Sequence, residues 1–554
     1  MKKHICFLLI TALLCSSLSG CVSTAVGDDD FVPKGGEMLM EGEEPEDLSL
    51  QDEELQSLSL TYFPNRSMNP LIGNNITNRV LFSLIYQGLF SVDRNNNPVP
   101  ILCSYYQATS DNRNYTVYIE TGARFSDGSP LTVADVLATY EAAKNSDYYG
   151  GRFTYIDSVV QGENNSVVFH LTTAYENLAL LLDIPIVKVG HTADDYPLGT
   201  GPYSFQTTNT GARLQKVTDW WCSAKLPTNA ETITLTEATS QAQVRDEFEF
   251  DELGLAISNP MSDSYAEYRC DYELWEVDSG LFLYVGVNAL WSEFFKDGKN
   301  DELRKALTYA IDRDTIINSY YRGRAYASTL PVSPNSPYYS ESLASRYTYD
   351  PLRFVSAIQN MYIPKNTKGE PKKFLLLVNC DDSARLRTAR YIAKQLTELG
   401  LETGTLEYGA STGTTYEQVL RAGSYDIYLG QTKLSANYDL SQFFKGWGNL
   451  GWGGIADNTL LGMCKEALAI SGNYYNLCKM VADDGKIIPV LSGANAEMVK
   501  MAEIQTKTAV RFTEYVCENE NYIPICKMRD ISARLLKALM YKPDKQAQRE
   551  FSGW

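Results

Sequence analysis

Hydrophobic and polar positions along the chain follow two periods, and the period changes where turn residues gather. From Asn114 to Glu120, Tyr115, Val117 and Ile119 alternate with Thr116 and Tyr118, the two-residue repeat of a strand with one buried face. Ser166 to Leu171 alternates in the same way, and Leu58 to Phe63 reads as a further strand ahead of a helical pattern over Asn78 to Gly88. Between them, Phe125-Ser126-Asp127-Gly128-Ser129-Pro130-Leu131-Thr132 concentrates turn residues. Thr132 with Asp135 three positions on has the form of a capping box and predicts a helix from Val133 to about Lys144. Gly199-Thr200-Gly201-Pro202-Tyr203 predicts a tight turn into a strand.

The second half carries a longer alternation of elements. Lys373 to Asn379 is an apolar strand, and Ser383 to Leu399 is a helix with Leu386, Ala389, Ile392, Ala393, Leu396 and Leu399 on one face, stopped by Gly400. Leu401 to Tyr408, Thr415 to Ala422 and Tyr425 to Gln431 then read as strand, helix and strand. This is a β-α-β-α-β unit, which requires parallel strands with right-handed crossovers. Such sheets bind ligands beyond the carboxyl ends of their strands. The candidates are therefore Asn379 to Asp382, with Asn379 and Asp381 foremost, and Gln431 to Asp439, with Gln431, Asn437, Tyr438 and Asp439 foremost. An aromatic ring and hydroxyl make Tyr438 suited to ligand contact, so its loss is expected to weaken binding more than stability.

Composition narrows the function. Lys+Arg 49 against Asp+Glu 68 gives a net charge of −19, which repels nucleic acid over most of the surface. Three histidines leave little for His-based catalysis or metal ligation, and no metal site or cofactor is expected. The chain shows no Gly-x-Ser-x-Gly elbow, no His-Glu-x-x-His and no Gly-rich phosphate loop, so the expectation is that it is not an enzyme. A secreted glycosidase working through two carboxylates stays open, because the spacing of its acids is defined only in three dimensions. The 37 tyrosines suit a recognition surface.

The N-terminus has its own logic. Lys2 and Lys3, the apolar run Ile5 to Leu14, and Leu18-Ser19-Gly20-Cys21 resemble a bacterial lipoprotein signal with its lipobox, which implies cleavage after Gly20 and lipidation (diacylglycerol, palmitate) of Cys21. Removing Lys2 and Lys3 brings the charge from −19 to −21. From Val22 to Ser57 twelve acids face one lysine, Lys34, the composition of a solvated tether. Its reach as a coil is roughly 30–35 Å. Eight cysteines then remain, none in a Cys-x-x-Cys pair. Cys464–Cys478 and Cys517–Cys526 are candidate disulfides, and buried free thiols are an equal account.

Four segments carry a family resemblance. Tyr86-Gln87-Gly88-Leu89-Phe90, Phe125 to Val136, Gly199 to Tyr203 and Leu303-Arg304-Lys305-Ala306-Leu307-Thr308-Tyr309-Ala310-Ile311-Asp312-Arg313 resemble, in order, the family 5 extracellular solute-binding proteins, receptors of ABC importers for peptides or nickel. The resemblance implies an α/β, two-lobed periplasmic-binding-protein-like fold with a hinge and a ligand cleft between the lobes. It implies a monomeric receptor held outside the membrane by its lipid, which delivers an oligopeptide to an ABC permease with its ATPase subunits. A receptor for a nickel complex or other small solute is the alternative. The domains expected are a signal at 1–20, a tether at 21–57, a first lobe at 58–280 rejoined by 488–554, and a second lobe at 281–487. Leu281 to Asn288 is expected to cross between lobes, and Lys486 to Val490 to return. The family commonly has a tryptophan where Gln431 stands and an ammonium-binding acid where Ala436 stands, so both departures count against a dipeptide-type site. Trp447 and Trp452, in the glycine-rich stretch after it, are further candidates for the cleft wall.

Overall fold

The strand expected at Asn114–Ile119 forms the centre of a four-stranded antiparallel sheet, in the order Cys103–Ala108, Asn114–Ile119, Ser166–Leu171, Ile156–Gln161. Its inward side chains, among them Tyr115, Val117, Ile119, Val167 and Phe169, are buried, so the alternation in the sequence is the inside and outside of this sheet. The computed structural model describes residues 59–73, 75–92, 97–209, 211–224, 228, 230–250, 252–253, 255–258, 272–277, 281–323, 325–334, 336–446, 450–492 and 497–502. The expected signal and tether lie outside them.

Helix Val133–Lys144 packs beside this sheet. Thr132 and Asp135 close the expected capping box, with the Thr132 N–H donating to Asp135 Oδ2 at 2.8 Å, while Asp135 Oδ1 accepts the Val189 N–H at 2.8 Å. A second four-stranded sheet runs Ser59–Tyr62, Thr232–Glu237, Gly211–Lys216, Tyr203–Thr208. The Gly199–Tyr203 turn explains its glycines by crowding. A Cβ on Gly201 would stand 2.4 Å from the Leu84 carbonyl oxygen and one on Gly199 2.2 Å from that of Ile85, at the end of helix Ile76–Ile85. Trp220 and Trp221 both donate to the Thr200 carbonyl, and Trp221 also donates to Gln87 Oε1 at 3.1 Å, so two separate motifs meet in one core.

A second core gathers around a six-stranded sheet in the order Tyr326–Ala327, Ile487–Ser492, Leu281–Val287, Ile427–Lys433, Phe374–Asn379, Thr403–Tyr408. Phe374–Asn379 is parallel to both Thr403–Tyr408 and Ile427–Lys433, as the β-α-β-α-β reading requires. Where Leu281–Val287 pairs with Ile427–Lys433, Gly286 faces Tyr428 and Gly430 faces Tyr284. A Cβ on either glycine would come within 2.2 Å or 2.5 Å of the opposing ring. Each tyrosine thus lies across a glycine of the neighbouring strand, and the two rings meet edge to face at 5.9 Å.

A separate three-stranded sheet runs Leu255–Ser258, Glu497–Ala502, Tyr272–Val277, and its strand Leu255–Ser258 lies against strand Ser59–Tyr62 of the first lobe. The chain passes between it and the six-stranded sheet twice, after Val277 and after Ser492. Strand Ile487–Ser492 belongs to the six-stranded sheet, so that sheet carries residues beyond the 487 taken from the sequence, because the antiparallel pairing with Leu281–Val287 runs on to Ser492. Cys464 and Cys478 are buried free thiols, not a disulfide. Among the described residues no helix is long and apolar enough to cross a membrane.

Candidate functional site

The carboxyl ends of the parallel strands present two loops, and the structure treats them differently. At the first, Asn379 Oδ1 accepts the Asp381 N–H at 2.9 Å, the Asp381 carboxylate accepts the Ala410 N–H at 3.0 Å, and Asp382 caps helix Ser383–Glu398 through the Arg385 N–H at 2.9 Å. These side chains fold the loop onto itself, with Asp381 exposed.

The second loop turns toward the other lobe. Gln431 is half-buried near the end of its strand, opposite Leu283. Ala436, Asn437 and Tyr438 are buried. Asn437 Nδ2 donates to the Tyr175 hydroxyl of the first lobe, and its backbone carbonyl accepts from the Tyr474 hydroxyl at 2.5 Å. Tyr474 stacks on Tyr338 at 4.1 Å, and Tyr338 meets Tyr438 edge-on at 6.0 Å. Asn177 donates to the Tyr338 hydroxyl at 3.2 Å. Four tyrosines and two asparagines from both lobes therefore make one hydrogen-bonded seam. Burial pushes the Tyr175 and Tyr474 hydroxyls well above the ordinary tyrosine range, so both stay neutral, Tyr175 accepting from Asn437 and Tyr474 donating to its backbone carbonyl.

Around this seam the lobes touch again. Glu176 N–H donates to the Leu468 carbonyl at 2.8 Å and Glu176 Oε2 accepts the Ser471 N–H at 2.7 Å, while Leu468 packs in the first lobe's core. Gln442 donates to Thr154 Oγ1 at 3.2 Å, and the Lys445 ammonium lies 5.0 Å from the Tyr155 ring. Val92, Leu180 and Ala436 form a small apolar cluster of their own.

One expectation changes here. Tyr438 sits in the second lobe's core at 1% exposure, so the expectation that its loss would spare stability is overturned. The reason is that the loop bends inward, with Tyr438 at φ 51°, and brings the ring against Tyr338 within the second core. Asp439 accepts the Ser441 N–H at 2.9 Å and its hydroxyl at 3.0 Å, shaping the start of helix Ser441–Phe444. Trp447 lies outside the described residues, and Trp452 packs half-buried on the second core near Arg421. Tyr175, Tyr338, Tyr474, Val92 and Leu180 were missed in the sequence, where only the high tyrosine count hinted at such a seam. His170 pairs with Asn114 and His191 with Asp194. Among the described residues no three His, Cys, Asp or Glu gather as a metal site.

Burial raises the Asp439 carboxyl above its ordinary value of about 3.8, against the pull of its Ser441 bonds and of Lys445. A raised value means that the folded state holds the proton more tightly. This contribution to stability is present below pH 3.8 and is lost as pH rises through the higher folded value. Asp439→Asn is therefore expected to gain stability relative to the parent between about pH 4 and pH 7. Urea unfolding of both proteins at the two pH values checks this, and curves that stay parallel would sink it.

Comparison with known proteins gives the family and the fold. The family described as "Bacterial extracellular solute-binding proteins, family 5 Middle" matches residues 97–453. The glutathione-binding protein GsiB of Pectobacterium atrosepticum is 26% identical over 353 residues, covering 61% of this chain and 66% of the relative. The chain thus spans just under two thirds of that curated relative's length. Among solved structures, the ABC transporter substrate-binding protein CtaP of Listeria monocytogenes superposes with a TM-score of 0.65 at 19% identity, over 80% of this chain and 93% of its own. The oligopeptide-binding protein AppA of Bacillus subtilis, in complex with a nonapeptide, superposes at 0.57 and 20% identity, over 81% and 94%. These structures share the two-lobed α/β fold.

Proposed function

The chain belongs to the family 5 bacterial extracellular solute-binding proteins, and on that premise we propose that it is the oligopeptide receptor of an ABC importer. The observation that carries this reading is the seam itself. Asn437, Asn177, Tyr175, Tyr338 and Tyr474 present uncharged hydrogen-bonding groups from both lobes, the chemistry that matches a ladder of amides. Gln431, Asn437, Tyr438 and Asp439 belong to this cleft, and Asn379 and Asp381 flank it at the neighbouring strand end. A first lobe from 58 to 280 and a second from 281 to the end of strand Ile487–Ser492, linked by the two chain passages, open and close around the ligand. Cys21 carries the lipid that anchors the mature, monomeric protein outside the membrane, and the acidic tether holds the body off the surface. A permease with ATPase subunits receives the ligand, and the protein itself performs no catalysis.

Gentle purification followed by mass spectrometry of the released ligand tests the reading. Peptides are the expected result. A spectrum dominated by a metal chelate or another small solute would replace the oligopeptide assignment with the nickel-complex or small-solute alternative.

A further inference from the structure

The second lobe carries a cavity that the cleft does not account for. It measures about 540 Å³, and Tyr309, Arg346, Arg353 and Lys479 line it together with Asp350 and Asp483. Asp483 stands just ahead of strand Ile487–Ser492, whose first residue is level with Gly286 and, through it, with Tyr428 at the amino end of Ile427–Lys433. The candidate loops follow the carboxyl ends, so the two places lie toward opposite ends of the sheet. Both acids of the cavity are engaged. Asp483 accepts the Tyr347 hydroxyl on one oxygen and the Lys479 ammonium on the other, each at 2.6 Å, and Asp350 accepts the Arg353 backbone N–H at 3.0 Å as the cap of helix Pro351–Ile358. The two arginines are not engaged in this way. The Arg353 guanidinium lies over the Tyr309 ring at 3.9 Å, a contact that fixes its plane and uses none of its N–H donors. Arg346 acts on Asp483 through space, and neither guanidinium has an ion pair or a hydrogen bond among the described residues. The Tyr309 hydroxyl also makes no hydrogen bond there, although the residue is only 6% exposed. Water satisfies a lone surface arginine, but here two planar forks and a hydroxyl open into one concave site. Its three cations exceed its two acids by one charge, on a chain whose net charge is −19.

We propose that this cavity is a second binding site, one that takes the phosphate group of a phosphomonoester. Such a group carries about −1.5 to −2 charge and three acceptor oxygens. Two guanidinium forks, each matched to phosphate geometry, and the Tyr309 hydroxyl supply three donor groups for those oxygens. A carboxylate, with two oxygens and a single charge, would leave one donor group unused. Arg346 and Arg353 hold the phosphate, and Tyr309 holds Arg353 flat while adding its own hydroxyl. A soluble phosphate ester and the headgroup of phosphatidic acid present the same chemistry. The site stands whether or not the cleft binds peptides.

The test uses the full chain carrying Cys21→Ser, which cannot take up a lipid. It is titrated with glycerol phosphate by calorimetry and sedimented with vesicles of phosphatidylcholine, either alone or doped with phosphatidic acid. Saturable binding of glycerol phosphate, or retention by the doped vesicles alone, is the expected result. The first without the second assigns a soluble ester, and the second without the first assigns the lipid headgroup. Arg346→Gln and Arg353→Gln are each expected to weaken that binding about tenfold. Tyr309→Phe, which keeps the ring under Arg353 and removes only the hydroxyl, is expected to weaken it about threefold. Urea midpoints report whether each variant folds. Should Arg353→Gln fail to fold, Arg346→Gln, at an exposed side chain, carries the test alone. A parent chain that ignores both glycerol phosphate and the doped vesicles overturns the proposal. So does binding that a folded Arg346→Gln leaves unchanged.

Discussion

Replacing Arg313 by methionine is expected to lower the unfolding free energy by about 2–5 kcal/mol. Arg313 is 4% exposed, and among the described residues no carboxylate is bonded to it. Its guanidinium is spent on the backbone: Nε donates to the Ser328 and Pro489 carbonyls at 2.9 Å and 3.0 Å, Nη1 to Thr308 and Ile311 at 3.1 Å and 3.3 Å, and Nη2 to Pro489 at 2.7 Å and Thr308 Oγ1 at 2.9 Å. Burial pushes its pKa down to about 10, yet it stays charged at neutral pH because the carbonyl dipoles converge on it. Methionine fills the volume and relieves the buried charge, but strands several carbonyls at roughly 1–3 kcal/mol each. Pro489 lies in the strand that pairs with Leu281–Val287, so the loss reaches the two strands that lead to the chain passages. Lysine is expected to recover less than half of the effect, since a single ammonium cannot reproduce a planar fork. Urea unfolding measures both, and a methionine variant whose midpoint matches the parent would refute the account.

Tyr438→Ala is expected to cost about 3–5 kcal/mol of stability before any effect on binding is counted. The ring is enclosed by Tyr338 and the second core, and alanine leaves a cavity that a loop pinned at Asn437 by Tyr474 cannot collapse to fill. Glycine suits the left-handed backbone at this position and is expected to recover a fraction of the loss, since a tyrosine there is strained and a glycine is not. Thermal and urea denaturation of the parent, the alanine and the glycine variants check the order. An alanine variant as stable as the parent would return Tyr438 to the surface loop that its sequence suggests. Binding measured on Tyr438→Ala is interpretable only against that stability.

Local rules were enough for the framework. Two-residue alternation located Asn114–Ile119 and Ser166–Leu171, the Thr132 and Asp135 pair located a helix start, and the 3.6-residue stripe from Leu386 to Leu396 located Ser383–Glu398, because each depends on residues a few positions apart. Boundaries slipped where pairing partners decide them: Thr403–Tyr408 and Ile427–Lys433 each begin two residues later than their apolar runs, set by register with Phe374–Asn379. The ordered motifs of the family also lie open in the sequence, as does the absence of an acid at Ala436. The two candidate loops at the strand ends follow from the β-α-β-α-β order alone. What the tertiary structure alone decided is which side chains share the seam. Tyr175 meets Asn437, Asn177 meets Tyr338, and Val92 and Leu180 meet Ala436 across separations of up to 344 positions, and no periodicity encodes a contact between lobes. The inward turn of Tyr438 was hidden for the same reason. A tyrosine in a loop is as easily placed in solvent as in a core by its sequence, and only the aromatic partners brought by distant segments make burial the lower free energy.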